Sequence, residues 1–340
     1  MTLAAYVVLD GFDLGAGVLH LSVAHTDRER RIVLRSIGPL WDGNEVWLLA
    51  AAGTIYFAFP VLYASSFSGF YLPLTIILWL LILRGIAIEF RNHLNSPVWA
   101  QFWDAIFSGS SMLLAFLYGV ALGNVVRGVP LDGSGYFFEA LWTNFSIRGD
   151  SMLGETGVLD WYTVLVGLAA FFALKLHGSL WLALKTEAEL NLRANQVATR
   201  TWRSLLIVHF VVTTVTFYVQ PEVPRNLSAR PWGFLFVAVA VLGLGGVRYY
   251  LKRSEVRAFL ASCAYLVGTV TSVAFGLYPL LLPATTSPAY SLSVHNAHAD
   301  DYGMRIGLTW WVLGMILVAG YFVYMYWKFA GKVGLDEQGY

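Results

Sequence analysis

Charged residues are scarce in this 340-residue chain: Asp, Glu, Lys and Arg make up 13% of it, about half of the roughly 25% typical of soluble domains. The net charge is only +1. Because phosphate binding needs a clustered basic surface, this balance argues against a nucleic-acid-binding protein. Cysteine is almost absent. The single Cys263 excludes an internal disulfide, a Cys-ligated iron–sulfur cluster and covalent attachment of a c-type haem.

Long hydrophobic runs, by contrast, occupy most of the chain. Hydrophobic residues make up 57% and the mean hydropathy is +0.62, which is typical of membrane proteins. Since a span needs about 20 apolar residues, we predict nine transmembrane helices in one membrane domain, residues 1–340. Their approximate ranges are 2–24, 41–65, 68–90, 102–126, 158–185, 199–220, 231–251, 256–282 and 304–330. Such long runs without alternating polarity argue against a β-barrel, so we expect an all-α integral membrane protein.

Positive charge is distributed unevenly between the predicted connections. One set of connections and the chain end together hold fifteen basic residues: Arg28, Arg30, Arg31, Arg35, Arg91, Lys185, Arg193, Arg200, Arg203, Arg248, Lys252, Arg253, Arg257, Lys328 and Lys332. The opposite connections hold five: Arg127, Arg148, Arg225, Arg230 and Arg305. Since cytoplasmic loops carry the excess of positive charge, we expect the N-terminus outside and the C-terminus in the cytoplasm.

The lengths of the connections indicate how the helices group. The two longest external connections, 127–157 and 283–303, are rich in Gly, Pro and polar residues and are typical of surface loops or partner contacts. The other connections agree with two four-helix bundles, formed by helices 1 to 4 and 5 to 8, with helix 9 appended.

The stretch from Gly38 to Trp47 places two carboxylates at the start of a long apolar run. An ionised carboxylate near the bilayer centre costs roughly 2.5–3.5 kcal/mol, so such groups usually face a bundle interior, a partner or water. Asp42 and Glu45 are three residues apart and therefore share one helix face. Either Asp42 caps the helix, since Asp is a good N-cap, or Asp42 and Glu45 open a proton route.

Further ionisable residues lie in the cytoplasmic halves of the first four predicted spans. They are Asp10 and Asp13 in helix 1, Arg84 and Glu89 in helix 3, and Asp104 in helix 4. One explanation is structural: Arg84 neutralises a buried acid and, with Glu89, forms charge pairs that lock helices together. The other is a proton route from the cytoplasm along spaced carboxyl groups, namely Asp42, Glu45, Asp13, Asp10 and Asp104. The two acids of helix 1 also argue against a cleavable signal peptide.

Histidines raise the question of bound metals. His177 and His209, on helices 5 and 6, could ligate a b-type haem as a pair, with His20 as another candidate. A lone His on a helix is more often a hydrogen-bonded packing residue, so we expect this chain to bind no haem. The segment 295–301 holds two His and two Asp. It lacks fixed helical spacing, so we expect a solvated loop and no metal there.

Several short motifs are more specific than the composition. They are Tyr6 to Gly17, with Asp10-Gly11-Phe12-Asp13; Asp27 to Arg31; Gly38 to Leu48, with Trp41-Asp42-Gly43-Asn44; Phe67 to Tyr71; Arg84 to Arg91; Gly119 to Asn124; and Phe275 to Pro279. With the predicted nine-span topology, these motifs resemble subunit II of the cytochrome bd-type quinol oxidases. The resemblance covers essentially the whole chain.

The resemblance implies a heterodimeric terminal oxidase of a bacterial or archaeal cytoplasmic membrane, which oxidises quinol and reduces dioxygen to water in aerobic respiration. Haems b and d would lie in the partner, subunit I, and none in this chain. This subunit would be non-catalytic and would stabilise the complex. Small single-helix accessory subunits and a quinone or lipid bound to this chain are further implied partners.

The resemblance also implies roles for two residues. Asp42 matches the family acid proposed to start a cytoplasmic proton route, and Trp47 matches a position near a proposed dioxygen entrance. An alternative from another class is a proton-coupled secondary transporter, in which intramembrane acids carry the coupling protons. A transporter typically binds its substrate at midplane between broken helices of two related halves. No pair of Gly/Pro-interrupted spans occupies corresponding positions in this sequence.

Overall fold

A computed structural model describes residues 1–138 and 157–334 of the chain. Arg148, counted above among the external basic residues, lies outside these ranges. The helices are α1 (Thr2–Val23), α2 (Asp27–Ile37), α3 (Trp41–Ala58), α4 (Pro60–Gly69), α5 (Tyr71–Phe90), α6 (Pro97–Arg127), α7 (Trp161–Lys185), α8 (Ala188–Val219), α9 (Glu222–Ala229), α10 (Phe234–Tyr250), α11 (Glu255–Leu277) and α12 (Asp301–Lys328). The prediction of a helical membrane protein is confirmed.

Eight of the described helices are long and apolar enough to cross a membrane: α1, α5, α6, α7, α8, α10 with its preceding 3-10 turn, α11 and α12. The expected unbroken helix over 41–65 is wrong. It is divided into α3 and α4 at Phe59, whose φ of −137° and ψ of 67° are not helical. Pro60 explains the break, because proline lacks the backbone N–H and disfavours a helical conformation in the preceding residue.

Other boundaries differ for physical reasons. α8 begins at Ala188, eleven residues before the predicted start, because its first part is polar and a hydropathy window detects only the apolar remainder. At 32 residues and about 1.5 Å per residue, α8 exceeds the roughly 30 Å of a bilayer core. α11 ends at Leu277 instead of 282. The segment that follows forms β1 (Leu280–Leu282), which pairs antiparallel with β2 (Leu292–Ser293), so the fold is not purely α.

α1 lies at the centre of the helix assembly and packs against α3, α6, α7 and α11. Its contact with α7 is backbone to backbone at Gly15 and Gly178. A Cβ on Gly15 would lie 2.1 Å from the Leu174 carbonyl oxygen, and one on Gly178 would lie 2.2 Å from the Gly15 carbonyl carbon. Only glycine at both positions allows this approach, which brings the acids of α1 into the interior.

The two ends of the assembly differ. One end, which we call the arginine-rich end, carries α2, the C-terminus of α5 and the polar start of α8. The other, the loop-capped end, is covered by 129–137 and 280–297, where Val129 N–H donates to the Pro283 carbonyl and Thr285 N–H donates to the Val129 carbonyl. Buried Val129, Leu131, Leu282 and Leu292 give this cap its own small core. Within the described residues, segments 129–137 and 283–297 of the two long connections therefore pack against each other.

α12 stands apart from the rest, since none of its residues is buried and it packs mainly against α3. The segment after it fastens α12 to the arginine-rich end of the assembly. Lys185 donates to the carbonyls of Phe329 and Gly331, and Lys332 donates to the Ala183 and Thr186 carbonyls, each at 2.9 Å. These reciprocal lysine contacts fix the C-terminal end of α12 against α7.

Candidate functional site: buried carboxylates between α1, α3 and α5

The core of the candidate site is an ion pair between α1 and α5. Arg84 donates to both carboxylate oxygens of Asp10, with Nη1 at 3.0 Å and Nη2 at 2.5 Å, and both side chains are 0% exposed. Glu45 of α3 lies 3.7 Å from Arg84 Nη1 and remains 24% exposed. The bidentate geometry is the one in which a guanidinium best neutralises a carboxylate. Arg84 therefore pairs with Asp10 and approaches Glu45, whereas Glu89 is exposed on α5.

Asp13, one turn further along α1, has different neighbours. Its Oδ2 accepts a hydrogen bond of 2.7 Å from the Asn44 side-chain amide, and its Oδ1 has no hydrogen-bond partner among the described residues. Tyr326 of α12 donates its hydroxyl to Asn44 Oδ1 at 3.0 Å. Both Asp13 and Asn44 are 0% exposed. Asp10 is thus neutralised by a cation, whereas the one side chain among the described residues that hydrogen-bonds to Asp13 is a neutral amide.

Asp42 lies at the entrance to this group of side chains. It is exposed in the first turn of α3, and the N-cap position belongs to Leu40, with no side-chain cap hydrogen bond. Asp42 is therefore not the capping residue, although a carboxylate in the first turn still suits the helix dipole. Glu45 follows one turn later and is partly exposed. The α3 acids thus lead from the surface at Asp42 toward the buried pair of Arg84 and Asp10.

Trp47 lies on the same helix and faces inward. It is 9% exposed, its ring centroid is 5.6 Å from that of Phe322 on α12, and its Nε1 has no hydrogen-bond partner among the described residues. Trp47 thus packs in the contact between α3 and α12.

Asp104 belongs to a separate cluster at the arginine-rich end. Its carboxylate accepts from Arg91 Nε at 2.6 Å and Nη2 at 3.1 Å, and from Arg30 Nη1 at 3.1 Å. His20 Nε2 lies 2.6 Å from the same carboxylate, and Arg91 also donates to Asp27 of α2 at 2.7 Å. The structure brings Asp10, Asp13, Asp42 and Glu45 into one region, whereas Asp104 is held among two arginines elsewhere.

Glu29 joins α2 to α8 outside the spans. Its side chain accepts from the backbone N–H groups of His25 and Thr26, and the Glu29 N–H donates to the Thr26 hydroxyl, which completes a capping box. The Glu29 carboxylate also pairs with Arg193 of α8. Burial acts to raise the pKa of Glu29, but these backbone and arginine hydrogen bonds outweigh burial and lower the pKa from its ordinary value. Glu29 therefore stabilises this contact in its ionised form.

His177, one of the predicted haem candidates, is not available as a haem ligand. His177 uses both ring nitrogens in hydrogen bonds, with Nδ1 2.7 Å from Ser262 Oγ and Nε2 2.9 Å from the Val8 carbonyl oxygen, so neither is free for iron. His209 Nδ1 lies 3.0 Å from the Tyr265 hydroxyl. His20 contacts Asp104, as described. Within 1–138 and 157–334, no group of three or more His, Cys, Asp or Glu side chains could hold a metal ion.

A cavity of about 650 Å³ lies at the loop-capped end, between α7, the end of α8 and the β1 segment. Its walls include Trp161, Tyr218, Pro279 and the ion pair of Arg127 with Asp160. The lining is therefore partly aromatic and partly polar, as expected of sites for amphipathic molecules.

Sequence reasoning missed the residues that connect the predicted acids. Asn44 and Arg91 were named only within a motif and a count of basic residues, and Tyr326 was not named. The part-buried pair of Tyr6 and Tyr118, whose hydroxyls lie 2.8 Å apart, was not recognised either. Neutral polar side chains in a span give no strong signal, since their cost depends on a partner that is distant in sequence. Arg91 could have been found, because it follows α5 directly and faces the acid of the next predicted span.

The fold and the site together define a multi-pass helical membrane protein whose interior holds a bidentate ion pair and a second, less neutralised carboxylate. Comparison with known proteins narrows this class. Residues 1–329 match the family described as cytochrome bd terminal oxidase subunit II. The chain belongs to this family, which confirms the resemblance seen in the sequence. Membership in a subunit II family implies a partner, subunit I.

Relatives and a solved structure agree with this assignment. The chain is 30% identical to the probable cytochrome oxidase subunit 2 of Haemophilus influenzae, with 97% of this chain and 92% of that protein covered. It is 28% identical to the cytochrome bd ubiquinol oxidase subunit 2 of Bacillus subtilis, with 98% and 94% covered. The bd oxidase from Geobacillus thermodenitrificans shares the fold, with a TM-score of 0.71 at 17% identity over 96% of this chain and 95% of that one. No comparison favours a transporter.

Proposed function

We propose that this chain joins a haem-bearing subunit I in a bacterial cytoplasmic membrane to form an oxidase that oxidises quinol and reduces dioxygen to water. The observation that carries the proposal is the family match over residues 1–329. The names of the relatives, subunit 2 of ubiquinol oxidases, support quinol as the electron donor. In the proposed complex, haems b and d lie in subunit I and this chain is non-catalytic. The engagement of both His177 ring nitrogens in hydrogen bonds supports this placement.

The proposed topology keeps nine crossings. α3 and α4 together run from Trp41 to Gly69, long enough to cross once despite the break at Phe59, since a span needs about 20 residues. With an odd number of crossings, the two termini lie on opposite sides of the membrane. Because positive charge is enriched on the cytoplasmic side, the arginine-rich end and the C-terminus then lie in the cytoplasm and the loop-capped end lies outside. The proposal keeps the expected grouping of α1, α3–α4, α5 and α6, of α7, α8, α10 and α11, and of α12 as the appended helix; α1 and α6 also pack against α7, which joins the two groups.

Within this topology, we propose that Asp42 and Glu45 admit protons from the cytoplasm and that Asp10 and Asp13 continue the route. Asp42 is exposed, Glu45 is partly exposed, and the α1 acids are buried, which is the order that a route into the interior requires. A relay needs groups that both accept and release a proton. Asp13, which has no salt-bridge partner among the described residues, meets that need better than Asp10. Asp104 is set apart from this route, because two arginines hold its carboxylate.

Two further roles complete the proposal. The buried position of Trp47 between α3 and α12 supports its assignment to a dioxygen entrance from the membrane. The aromatic and polar lining of the cavity at the loop-capped end supports its assignment to a quinone or lipid headgroup. Small single-helix accessory subunits would find room along exposed helices of the assembly.

The proposal is tested by purifying the complex through an affinity tag on this chain. We expect a second multi-span protein in the preparation, the reduced-minus-oxidised spectra of b- and d-type haems, and quinol-dependent oxygen consumption. A preparation without haem and without a second multi-span chain would contradict the oxidase assignment.

A further inference from the structure

Asp13 is joined to α12 by a chain of hydrogen bonds through a single amide. Asn44 donates to Asp13 Oδ2 at 2.7 Å, and Tyr326 donates to Asn44 Oδ1 at 3.0 Å. Tyr326 lies 282 positions from Asn44. This chain connects the central helix of the assembly to α12, the helix that the rest of the fold buries least.

The polarity of the chain is fixed by the chemistry of its members. An amide group donates only from its nitrogen and accepts only at its oxygen, and an ionised carboxylate only accepts. While Tyr326 donates to Asn44 Oδ1, the Asn44 nitrogen must face Asp13, which suits an ionised Asp13. A protonated Asp13 would donate to Oδ1, and the turned amide could then donate to the Tyr326 oxygen, because a hydroxyl can also accept. A phenylalanine at position 326 has no hydroxyl, so it could neither donate to Asn44 Oδ1 nor accept from the Asn44 nitrogen.

Tyr326 lies among aromatic rings and close to the end of α12, where Lys185 binds the chain. Its ring centroid lies 6.4 Å from those of Phe12 and Trp181 and 6.3 Å from that of Phe322. Three residues further on, the Phe329 carbonyl accepts from Lys185, which is itself held on α7. The ring contacts and the lysine contact near the helix end both support the position in which the Tyr326 hydroxyl faces Asn44.

We propose that Tyr326 is a positioning residue for Asp13: through Asn44, its hydroxyl keeps a hydrogen-bond partner facing the Asp13 carboxyl in both the ionised and the protonated state. The inference rests on the proposed proton route, in which Asp13 gains and loses a proton during turnover. It assigns α12 a task in the interior of the protein, in addition to its outward-facing apolar surface.

The test uses the purified oxidase complex and infrared spectroscopy. The Asp13→Asn variant identifies the carboxyl or carboxylate band of Asp13 as the band that disappears. We expect Tyr326→Phe to shift this band and to lower turnover per haem, with haem content unchanged. Tyr324→Phe, at an exposed tyrosine of the same helix, is the matched control and leaves the band in place.

A second variant tests whether Tyr326 acts through Asn44. Asn44→Ser removes the bridging amide and shifts the same band, and Tyr326→Phe adds no further shift in that background. If Tyr326→Phe shifts the Asp13 band as much in the Asn44→Ser background as in the unmodified complex, the two residues act independently and the inference is overturned. So would an unchanged band in Tyr326→Phe, or loss of the assembled complex in that variant alone. Full turnover in Asp13→Asn would instead contradict the proton route, while the band shift would still report on Tyr326.

Discussion

Arg84 of α5 donates two hydrogen bonds to Asp10 of α1, and neither side chain reaches solvent. Removal of one partner of a buried pair leaves an unpaired charge and typically costs about 3–5 kcal/mol, whereas removal of both can be nearly neutral. We therefore expect Arg84→Ala to reduce strongly the yield of assembled, haem-containing complex. Asp10→Asn combined with Arg84→Met should recover a large part of that yield. Equal yields for the single and double variants would contradict a neutralising role.

The sequence predicts that Arg84 pairs with an acid, because a lone guanidinium in an apolar run needs one. It does not predict which acid forms the pair. Asp10, Asp13, Glu45 and Glu89 were all within reach of a plausible helix arrangement, and only the packing of α1 against its neighbours selects Asp10. The contact between Asn44 and Tyr326 could not be predicted for a related reason, since it joins distant parts of the chain.

The close contact of α1 and α7 gives a prediction about glycine. A Cβ on Gly178 would lie 2.2 Å from the backbone of Gly15, so the helices must separate in Gly178→Ala. On Gly109 of α6, a Cβ would meet nothing within 4 Å. The substitution Gly109→Ala should therefore leave the free energy of unfolding unchanged or raise it by up to about 1 kcal/mol, because alanine has the higher helix propensity. We expect the first variant to lower the melting temperature of the complex and the second to maintain it. Similar melting temperatures would show that the contact is looser than described.

Asp104 should behave as a structural residue. Asp104→Asn leaves Arg30 and Arg91 without their shared carboxylate, and we expect less assembled complex and a lower melting temperature. Turnover per haem in the complexes that do assemble should stay close to normal. Asp301→Asn, at an exposed acid in the first turn of α12, serves as the control and should change neither property. A normal yield with reduced turnover per haem would place Asp104 on the proton route after all.

The contact between α2 and α8 predicts a pH dependence of stability. The pKa of Glu29 is lowered in the folded protein by its backbone and arginine partners, so ionised Glu29 stabilises the fold above the unfolded pKa of about 4.3 and stops doing so as the pH falls through the folded value. The melting temperature at neutral pH should be higher in the unmodified complex than in Glu29→Gln. The difference should shrink in acid.

Glu189→Gln provides the comparison for this pH dependence, because Glu189 is exposed in the first turn of α8. It should change the melting temperature little at any pH. A difference for Glu29→Gln that stays constant from neutral to acidic pH would mean that the carboxylate charge is not what stabilises the contact.

The fold shows similar limits of sequence reasoning. Composition and run length indicated a helical membrane protein, since the hydrophobic requirement of a span is local in sequence. The extension of α8 beyond the apolar segment was missed, because a polar helix that leaves the bilayer has no hydropathy signal. The break at Phe59 was readable from Pro60 and was overlooked. The small sheet of β1 and β2 depends on pairing across the loop between them, which periodicity over two or three residues cannot reveal.

The central claim is that carboxylates of this chain admit protons from the cytoplasm to the oxidase. Its most direct test is the rate of quinol-dependent oxygen consumption per haem in purified Asp42→Asn complex, compared with Asp42→Glu and Asp301→Asn. We predict that Asp42→Asn lowers turnover with yield and haem content unchanged, that Asp42→Glu restores much of it, and that Asp301→Asn has no effect. An Asp42→Asn complex with full turnover would contradict the claim and would leave Asp42 as a first-turn carboxylate that only favours the α3 dipole.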